Sequence, residues 1–146
     1  MKRKPVDIKY SSTHMWVRPE TGDKVTMGLT DYFLKDAENI TSITLPKVGE
    51  AIEEGFTLGE IETDDNTYSI ISPISGKAQE VNKEVLKNPA SLLEEPYDEG
   101  WLIKVKLNDP SKIDSLMSKR QYEESVIEEE EEETGEDYAE EEEEEI

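Results

Sequence analysis

The chain has 146 residues, a formal net charge of −21 at pH 7 and no cysteine. This length suits one domain with a hydrophobic core. The missing cysteines exclude disulfides, thiolate zinc sites and cysteine nucleophiles. The acidic balance argues against nucleic-acid binding, because phosphate contacts need clustered Lys and Arg.

The chain also lacks the signals of membrane insertion and export. No apolar run approaches the roughly 20 residues of a membrane span. The first ten residues, MKRKPVDIKY, are basic but are followed by no apolar stretch of the kind that a secretory signal needs. We therefore expect a cytoplasmic protein without membrane contact.

The first elements in chain order are a hairpin and a short helix. Met15–Arg18 and Lys24–Met27 are strand-forming runs, and Pro19–Asp23 between them is a turn. Thr30 is suited to cap a helix that continues to Ala37.

The middle of the chain consists of short strand signals separated by turns. A second helical patch, Pro89–Glu95, precedes Trp101, which we expect to fill the core. The further predicted strands are Ser42–Leu45, Thr57–Glu62, Tyr68–Ser72, Lys77–Val81 and Trp101–Leu107. Many short strands with few helices indicate a mainly β protein, either a barrel or a sandwich.

The C-terminal part changes character twice. Asp109 and Pro110 suit a helix start, and the apolar spacing that follows predicts a C-terminal helix over residues 109–126. Residues 127–146 hold thirteen Glu and one Asp without any Lys or Arg, so they carry −14 of the −21. We predict a disordered acidic tail there, a domain over residues 10–126, and an N-terminal extension over residues 1–9.

Acidic residues are concentrated at one predicted turn. Ile61 and Tyr68 flank the sequence Asp64-Asp65-Asn66, which predicts the turn of a β-hairpin. Together with Glu62 these side chains offer hard oxygen ligands, so a divalent-cation-binding β-domain is one alternative. The spacing is not that of a twelve-residue calcium loop, and neighbouring strand side chains point to opposite faces. We therefore favour a solvated turn and expect no metal.

Catalysis has little support in the sequence. His14 is the only histidine, and neither a GxSxG elbow nor a GxxxxGK[ST] phosphate loop occurs. We place His14 on a strand beside Trp16, as a structural hydrogen-bonding residue rather than a base. The prediction is a protein that is not an enzyme.

Several stretches together resemble the H protein of the glycine cleavage system, over roughly residues 8–126. The stretches that carry this resemblance are Ser11–Val17, Gly28–Tyr32, Leu45–Gly49, Ser72–Asn82 and Glu95–Lys104. The resemblance implies the flattened barrel-sandwich hybrid of lipoyl and biotinyl domains, with a cofactor-bearing lysine at the tip of a hairpin. It also implies an arm that visits the other glycine cleavage enzymes.

The attachment lysine of that family has no counterpart at the expected position. The family stretch is typically Glu-Ser-Val-Lys-Ala, with a Pro eleven residues beyond its Glu, and Glu62 and Pro73 keep this separation. The residues in register are Glu62-Thr63-Asp64-Asp65-Asn66, so Asp65 stands at the lysine position. A carboxylate cannot form the amide through which lipoate is attached. We therefore expect no bound lipoate.

These observations predict an H-like protein that is not lipoylated and that acts as a non-catalytic binding or regulatory module. Its expected partners are proteins, for example glycine cleavage or lipoate-handling enzymes. An active aminomethyl carrier modified at another lysine is the main alternative, and the lysines nearest in sequence are Lys47 and Lys77.

Overall fold

The computed structural model describes residues 8–20, 22–35, 37, 39–97 and 99–127. The strands within this part of the chain are β1 Lys9–Tyr10, β2 Met15–Pro19, β3 Lys24–Leu29, β4 Ile40–Thr44, β5 Ala51–Ile52, β6 Thr57–Thr63, β7 Thr67–Ile71, β8 Gly76–Val81 and β9 Ile103–Leu107. The helical segments are α1 Asp31–Leu34, α2 Lys83–Lys87, α3 Ser91–Glu94, a 3₁₀ segment Pro110–Ser115, and α4, residues 119–127.

The strands form two sheets. One has six strands in the order β1-β2-β3-β9-β8-β5, the other has three in the order β4-β6-β7, and all pairs are antiparallel. The inner faces share one hydrophobic core, to which Val17 and Val105 contribute from the larger sheet and Ile61 and Ile70 from the smaller. The predicted mainly β fold with short helices is confirmed.

The β2–β3 hairpin shows how the alternating pattern of the sequence is used. Met15 and Val17 face the inner core, while Trp16, from the opposite face of β2, joins a second apolar cluster. Trp16 lies opposite Gly28, where an added Cβ would come within 2.6 Å of the indole ring. The absence of a side chain at Gly28 therefore makes room for the buried Trp16.

The second cluster, which we call the outer aromatic cluster, consists of the buried side chains Tyr10, Trp16 and Tyr122 with apolar neighbours. The rings of Tyr10 and Tyr122 are stacked with their centroids 4.9 Å apart. Trp16 Nε1 donates a hydrogen bond of 2.9 Å to the carbonyl oxygen of Pro96. This cluster attaches α4 to the outer face of the six-stranded sheet.

Several local predictions differ from the structure. The helix predicted to continue to Ala37 ends at Leu34. His14 does not lie on a strand: it has φ +68° in the turn that precedes β2. Trp101 is only half-buried and packs against the outer aromatic cluster. It precedes β9, so the alternation of the strand does not direct its side chain into the core, and Leu102 and Ile103 are buried there instead. Lys9, assigned to the N-terminal extension, pairs with Val17 as part of β1.

The segment predicted as one helix, residues 109–126, consists of two pieces. The N–H of Met117 donates to the carbonyl oxygen of Tyr10 at 2.7 Å, and the N–H of Tyr10 donates back at 2.8 Å. Because this bridge uses both backbone groups of Met117, the 3₁₀ segment does not continue into α4. Residues 1–7 and 128–146, which include nearly all of the predicted tail, lie outside the described residues. No helix in the described part is long and apolar enough to cross a membrane.

Candidate functional site

The turn predicted from Asp64-Asp65-Asn66 is the end of the β6–β7 hairpin. Glu62 and Thr67 form the last cross-strand pair. The loop Thr63–Asn66, which we call the hairpin tip, is closed by a 2.8 Å hydrogen bond from the N–H of Thr63 to the carbonyl oxygen of Asn66. The predicted hairpin and its acidic turn are therefore confirmed.

Thr63 organises the hairpin tip through its hydroxyl group. Its Oγ1 accepts hydrogen bonds from the backbone N–H groups of Asp65 at 3.3 Å and Asn66 at 3.0 Å. The same hydroxyl donates to the carbonyl oxygen of Asn66 at 3.2 Å. A side chain that bonds the backbone two and three residues further on defines the turn from within. The tip therefore has a fixed backbone shape although the side chains of Asp64, Asp65 and Asn66 are exposed.

The hairpin tip stands on a buried base. Ile61 and Ile70 are fully buried in the core just below it. Tyr68 is half-buried, and its ring meets that of Phe33 edge-on with centroids 6.3 Å apart. Rigid elements below an exposed turn hold it in one place relative to the rest of the domain.

The carboxylates at the hairpin tip do not converge. Asp64 and Asp65 are exposed, whereas Glu62 Oε1 accepts a 2.9 Å hydrogen bond from the Ser42 hydroxyl on β4. Among the described residues there is no group of three or more His, Asp and Glu side chains that could hold a metal ion. The cation-binding alternative therefore gains no ligand set from the geometry.

The two lysines nearest in sequence lie away from the hairpin. Lys47 is exposed in the loop between β4 and β5. Lys77 is exposed on β8, which belongs to the six-stranded sheet, whereas the hairpin belongs to the three-stranded sheet. Neither position is at the tip of a hairpin.

His14 takes part in a hydrogen-bond network that the sequence did not reveal. Its Nδ1 lies 2.8 Å from the phenolic oxygen of Tyr122, and that oxygen lies 2.7 Å from Oγ1 of the buried Thr30. Thr30 Oγ1 also accepts from the N–H of Phe33 and so caps α1, as predicted. These contacts support the structural role that we predicted for His14. The sequence indicated the helix cap at Thr30 and a hydrogen-bonding role for His14, but not that Tyr122 joins them.

A small cavity of about 200 Å³ adjoins this network, and no sequence motif indicates it. The Tyr97 hydroxyl donates a 3.0 Å hydrogen bond to Oδ1 of Asp31 at its wall. Burial, and to a smaller extent the negative charge of Asp31, raises the pKa of Tyr97 above its ordinary value. The cavity is lined by Ile8, Tyr10, Asp31, Tyr97, Lys119, Tyr122 and Glu123.

Two antiparallel sheets that share a core and present a tight, exposed hairpin tip define a lipoyl-domain-like β protein. A solved structure supports this class: the glycine cleavage system H protein from Mycobacterium marinum superimposes with a TM-score of 0.74. That comparison covers 84% of this chain and 98% of the other at 28% sequence identity.

The sequence comparisons identify the family within this class. The family model for the glycine cleavage H-protein matches residues 8–129. Glycine cleavage system H proteins from Staphylococcus carnosus and a Geobacillus species are 39% and 41% identical to this chain over 122 residues. Each alignment covers 84% of this chain, with 96% of the first relative and 95% of the second. The chain belongs to the glycine cleavage H-protein family, as its sequence motifs predicted.

Proposed function

We propose that this chain is an H-family protein that carries no lipoyl group at its hairpin tip and acts as a non-catalytic binding or regulatory module. The observation that carries the proposal is the position of Asp65. This residue is exposed at the hairpin tip, and we assign it to the lysine position of the family stretch from the eleven-residue separation of Glu62 and Pro73. The protein partners that we propose are glycine cleavage or lipoate-handling enzymes.

The chemistry of the hairpin tip does not fit the group that the family implies. Lipoate is attached through an amide bond, which requires an amine as the nucleophile. The residues of the tip are Thr63, Asp64, Asp65 and Asn66, and none of these side chains has an ε-amino group. Asp65 also places a negative charge beside Asp64 where the family stretch has a cation.

The remaining lysines give little support to a carrier modified elsewhere. Lys77 lies within β8, opposite Ala51 on one side and Lys106 on the other. A lysine within a sheet is flanked by neighbouring strands and is less accessible to an attaching enzyme than a lysine at an exposed turn. Lys47 lies in a loop, but in a different connection from the β6–β7 hairpin.

The order within the hairpin tip supports a binding role. The Thr63 hydroxyl fixes the turn, and the buried Ile61 and Ile70 fix its base. A tip that is held in shape and carries adjacent carboxylates at Asp64 and Asp65 is suited to a partner surface with basic groups. The proposal thus gives the tip a contact role in place of an attachment role.

The test is the intact mass of the protein after coexpression with lipoate-attaching enzymes in the presence of lipoate. We expect no mass gain for the native chain and a gain of one lipoyl group for Asp65→Lys. The matched control is Asp64→Lys, which adds the same amine one residue away and should stay unmodified. A lipoyl group on the native chain would overturn the proposal. Modification of Asp64→Lys but not Asp65→Lys would overturn the register.

A further inference from the structure

We propose that the acidic tail, starting with Glu128–Glu133, docks in cis on a basic face of the six-stranded sheet. This interaction is independent of the function proposed above. We define the basic face by five cationic residues on the outer side of that sheet: Arg18, Lys24, Lys77, Lys104 and Lys106. Two carboxylates lie at its margin, since Glu20 pairs with Arg18 and Glu80 is the cross-strand partner of Lys104.

The centre of the basic face is a row of three lysines on adjacent strands. Lys24 on β3 is the cross-strand partner of Lys106 on β9, and Lys106 is also the partner of Lys77 on β8. All three are exposed. The next residues along the same strands are Val25, Val105 and Ala78, which are buried in the inner core. By the alternation of strand side chains, the three lysines therefore point to the outer face.

Such a row is unfavourable by itself. Like charges at directly opposite positions of a sheet destabilise it. Within the described part of the chain, the ion pairs are Arg18–Glu20, Lys112–Glu54 and Arg120–Glu124, and none of them involves the three lysines. The row is thus left without a carboxylate partner there, in a protein whose formal net charge is −21. Negative charge from another part of the chain would relieve this repulsion.

The basic face continues towards the outer aromatic cluster. The guanidinium carbon of Arg18 lies 5.5 Å from the ring centroid of Trp16, and Lys104 Nζ lies 5.2 Å from that of Trp101. Val126, near the end of the described chain, packs against the cluster that contains Trp16. The tail therefore leaves the domain beside the aromatic end of the basic face.

The distance from there to the lysine row is within reach of the tail. The path from Trp16 to Lys24 runs two residues along β2 to Arg18 and crosses to its partner Thr26 on β3. It then continues two residues along β3 to Lys24. Four residues of strand span about 13 Å, and three adjacent strands add about 10 Å across the sheet. Six extended residues, such as Glu128–Glu133, reach about 20 Å. The remaining tail, with Glu140–Glu145, adds further length and charge.

Charge and tethering both favour this occupant. Residues 127–146 carry −14, so the tail offers more carboxylates than the face has cations. Attachment through a short linker gives an effective concentration in the millimolar range. The docked tail would shield the lysine row, so that an acidic partner would have to displace it.

The test uses the whole 146-residue chain with one spin label. Because the sequence has no cysteine, Thr134→Cys provides a unique labelling position in the tail. We expect a nitroxide there to broaden the amide NMR signals of Lys24, Lys77 and Lys106 selectively. The broadening should fall at least about threefold between 0.01 M and 1 M salt, as the Debye length falls from about 30 Å to about 3 Å.

A pair of variants with equal charge makes the test specific. Replacing Lys24, Lys77 and Lys106 together by Glu should abolish the selective broadening. The control replaces three exposed lysines outside the basic face by Glu, namely Lys47, Lys83 and Lys87, and should retain it. In both variants the unaffected amide signals report whether the domain is folded.

Three results would overturn the proposal. The first is broadening that is spread evenly over the domain, or centred away from the lysine row. The second is equal loss of broadening in both triple variants. The third comes from a mixture of two chains, one isotope-labelled without a nitroxide and the other carrying the nitroxide without an isotope label. Broadening in this mixture as strong as in the singly labelled sample would show that the tail docks between molecules.

Discussion

The Nδ1 atom of His14 lies 2.8 Å from the phenolic oxygen of Tyr122, across 108 residues of sequence. This contact joins the turn before β2 to the C-terminal helix α4. The same phenolic oxygen lies 2.7 Å from Oγ1 of Thr30, and the Tyr122 ring stacks on Tyr10. One hydroxyl group therefore connects the N-cap of α1, the start of β2 and α4.

Removing this hydroxyl should weaken the attachment of α4. We expect Tyr122→Phe to lower the free energy of unfolding by about 1–2 kcal/mol, because two hydrogen bonds are lost while the stacking ring remains. Urea unfolding followed by circular dichroism measures the change. The control is Tyr68→Phe, since the hydrogen bond that the exposed Asn66 amide donates to the Tyr68 hydroxyl is long, at 3.5 Å. Equal effects of the two substitutions would contradict a special role for the Tyr122 hydroxyl.

Features formed by residues close in sequence could be predicted, whereas features that depend on contacts between distant parts of the chain could not. The β6–β7 hairpin was predictable because its strands and its Asp64-Asp65-Asn66 turn are adjacent in sequence. The break at Met117 was not predictable, because it results from pairing with Tyr10 at the other end of the domain. The same limit applies to His14, whose hydrogen bond to Tyr122 exists only after both ends of the domain meet.

A similar limit applies to the basic face. The lysines at positions 24, 77 and 106 are far apart in sequence, and only the order β3-β9-β8 brings them together. At the hairpin tip, by contrast, the four residues Thr63–Asn66 are consecutive in sequence. Their identity was therefore available from the sequence, whereas the Thr63 hydrogen bonds that fix their shape were not.

The second prediction concerns stability and follows from the close approach of Gly28 to Trp16. An added Cβ at Gly28 would lie 2.6 Å from the indole ring of Trp16, which is fully buried. We expect Gly28→Ala to lower the free energy of unfolding by about 2–3 kcal/mol, because a packed core does not absorb the added methyl group. Thermal and urea unfolding measure this loss.

A double-mutant cycle tests the cause of that loss. If the indole is the obstacle, Gly28→Ala should cost less in a Trp16→Phe background than in the native chain, because the smaller ring leaves space for the methyl group. Trp16→Phe also loses the hydrogen bond to Pro96, so only the difference between the two backgrounds is informative. The same cost in both backgrounds would show that the clash with Trp16 is not responsible.

The buried phenols of Tyr97 and Tyr10 should make the free energy of unfolding fall at alkaline pH. Burial, followed by the negative charge of nearby carboxylates, raises the pKa of both phenols above the ordinary value of 10.0. Below that pH both the folded and the unfolded chain keep these protons. Above it the unfolded chain releases them first, so the folded state binds more protons and the free energy of unfolding falls as pH rises.

Removing one of these phenols should reduce this dependence on pH. We expect the free energy of unfolding of Tyr97→Phe to fall less steeply than that of the native chain between about pH 10 and pH 12. Tyr10→Phe should act in the same direction, and the double variant should show the smallest slope. The measurement is urea unfolding at a series of pH values. Parallel curves for the native chain and Tyr97→Phe would rule out this explanation.

The proposed regulatory role makes a prediction in a reconstituted glycine cleavage reaction that depends on a lipoylated H protein. Under the proposed assignment of Asp65 to the attachment position, this chain should compete with the lipoylated carrier for its docking surface on the partner enzymes without turning over. We expect it to raise the carrier concentration needed for half-maximal rate and to leave the rate at saturating carrier unchanged. The matched control is lipoylated Asp65→Lys, which should support turnover. No inhibition at about tenfold excess over the carrier concentration, or turnover by the native chain alone, would contradict this role.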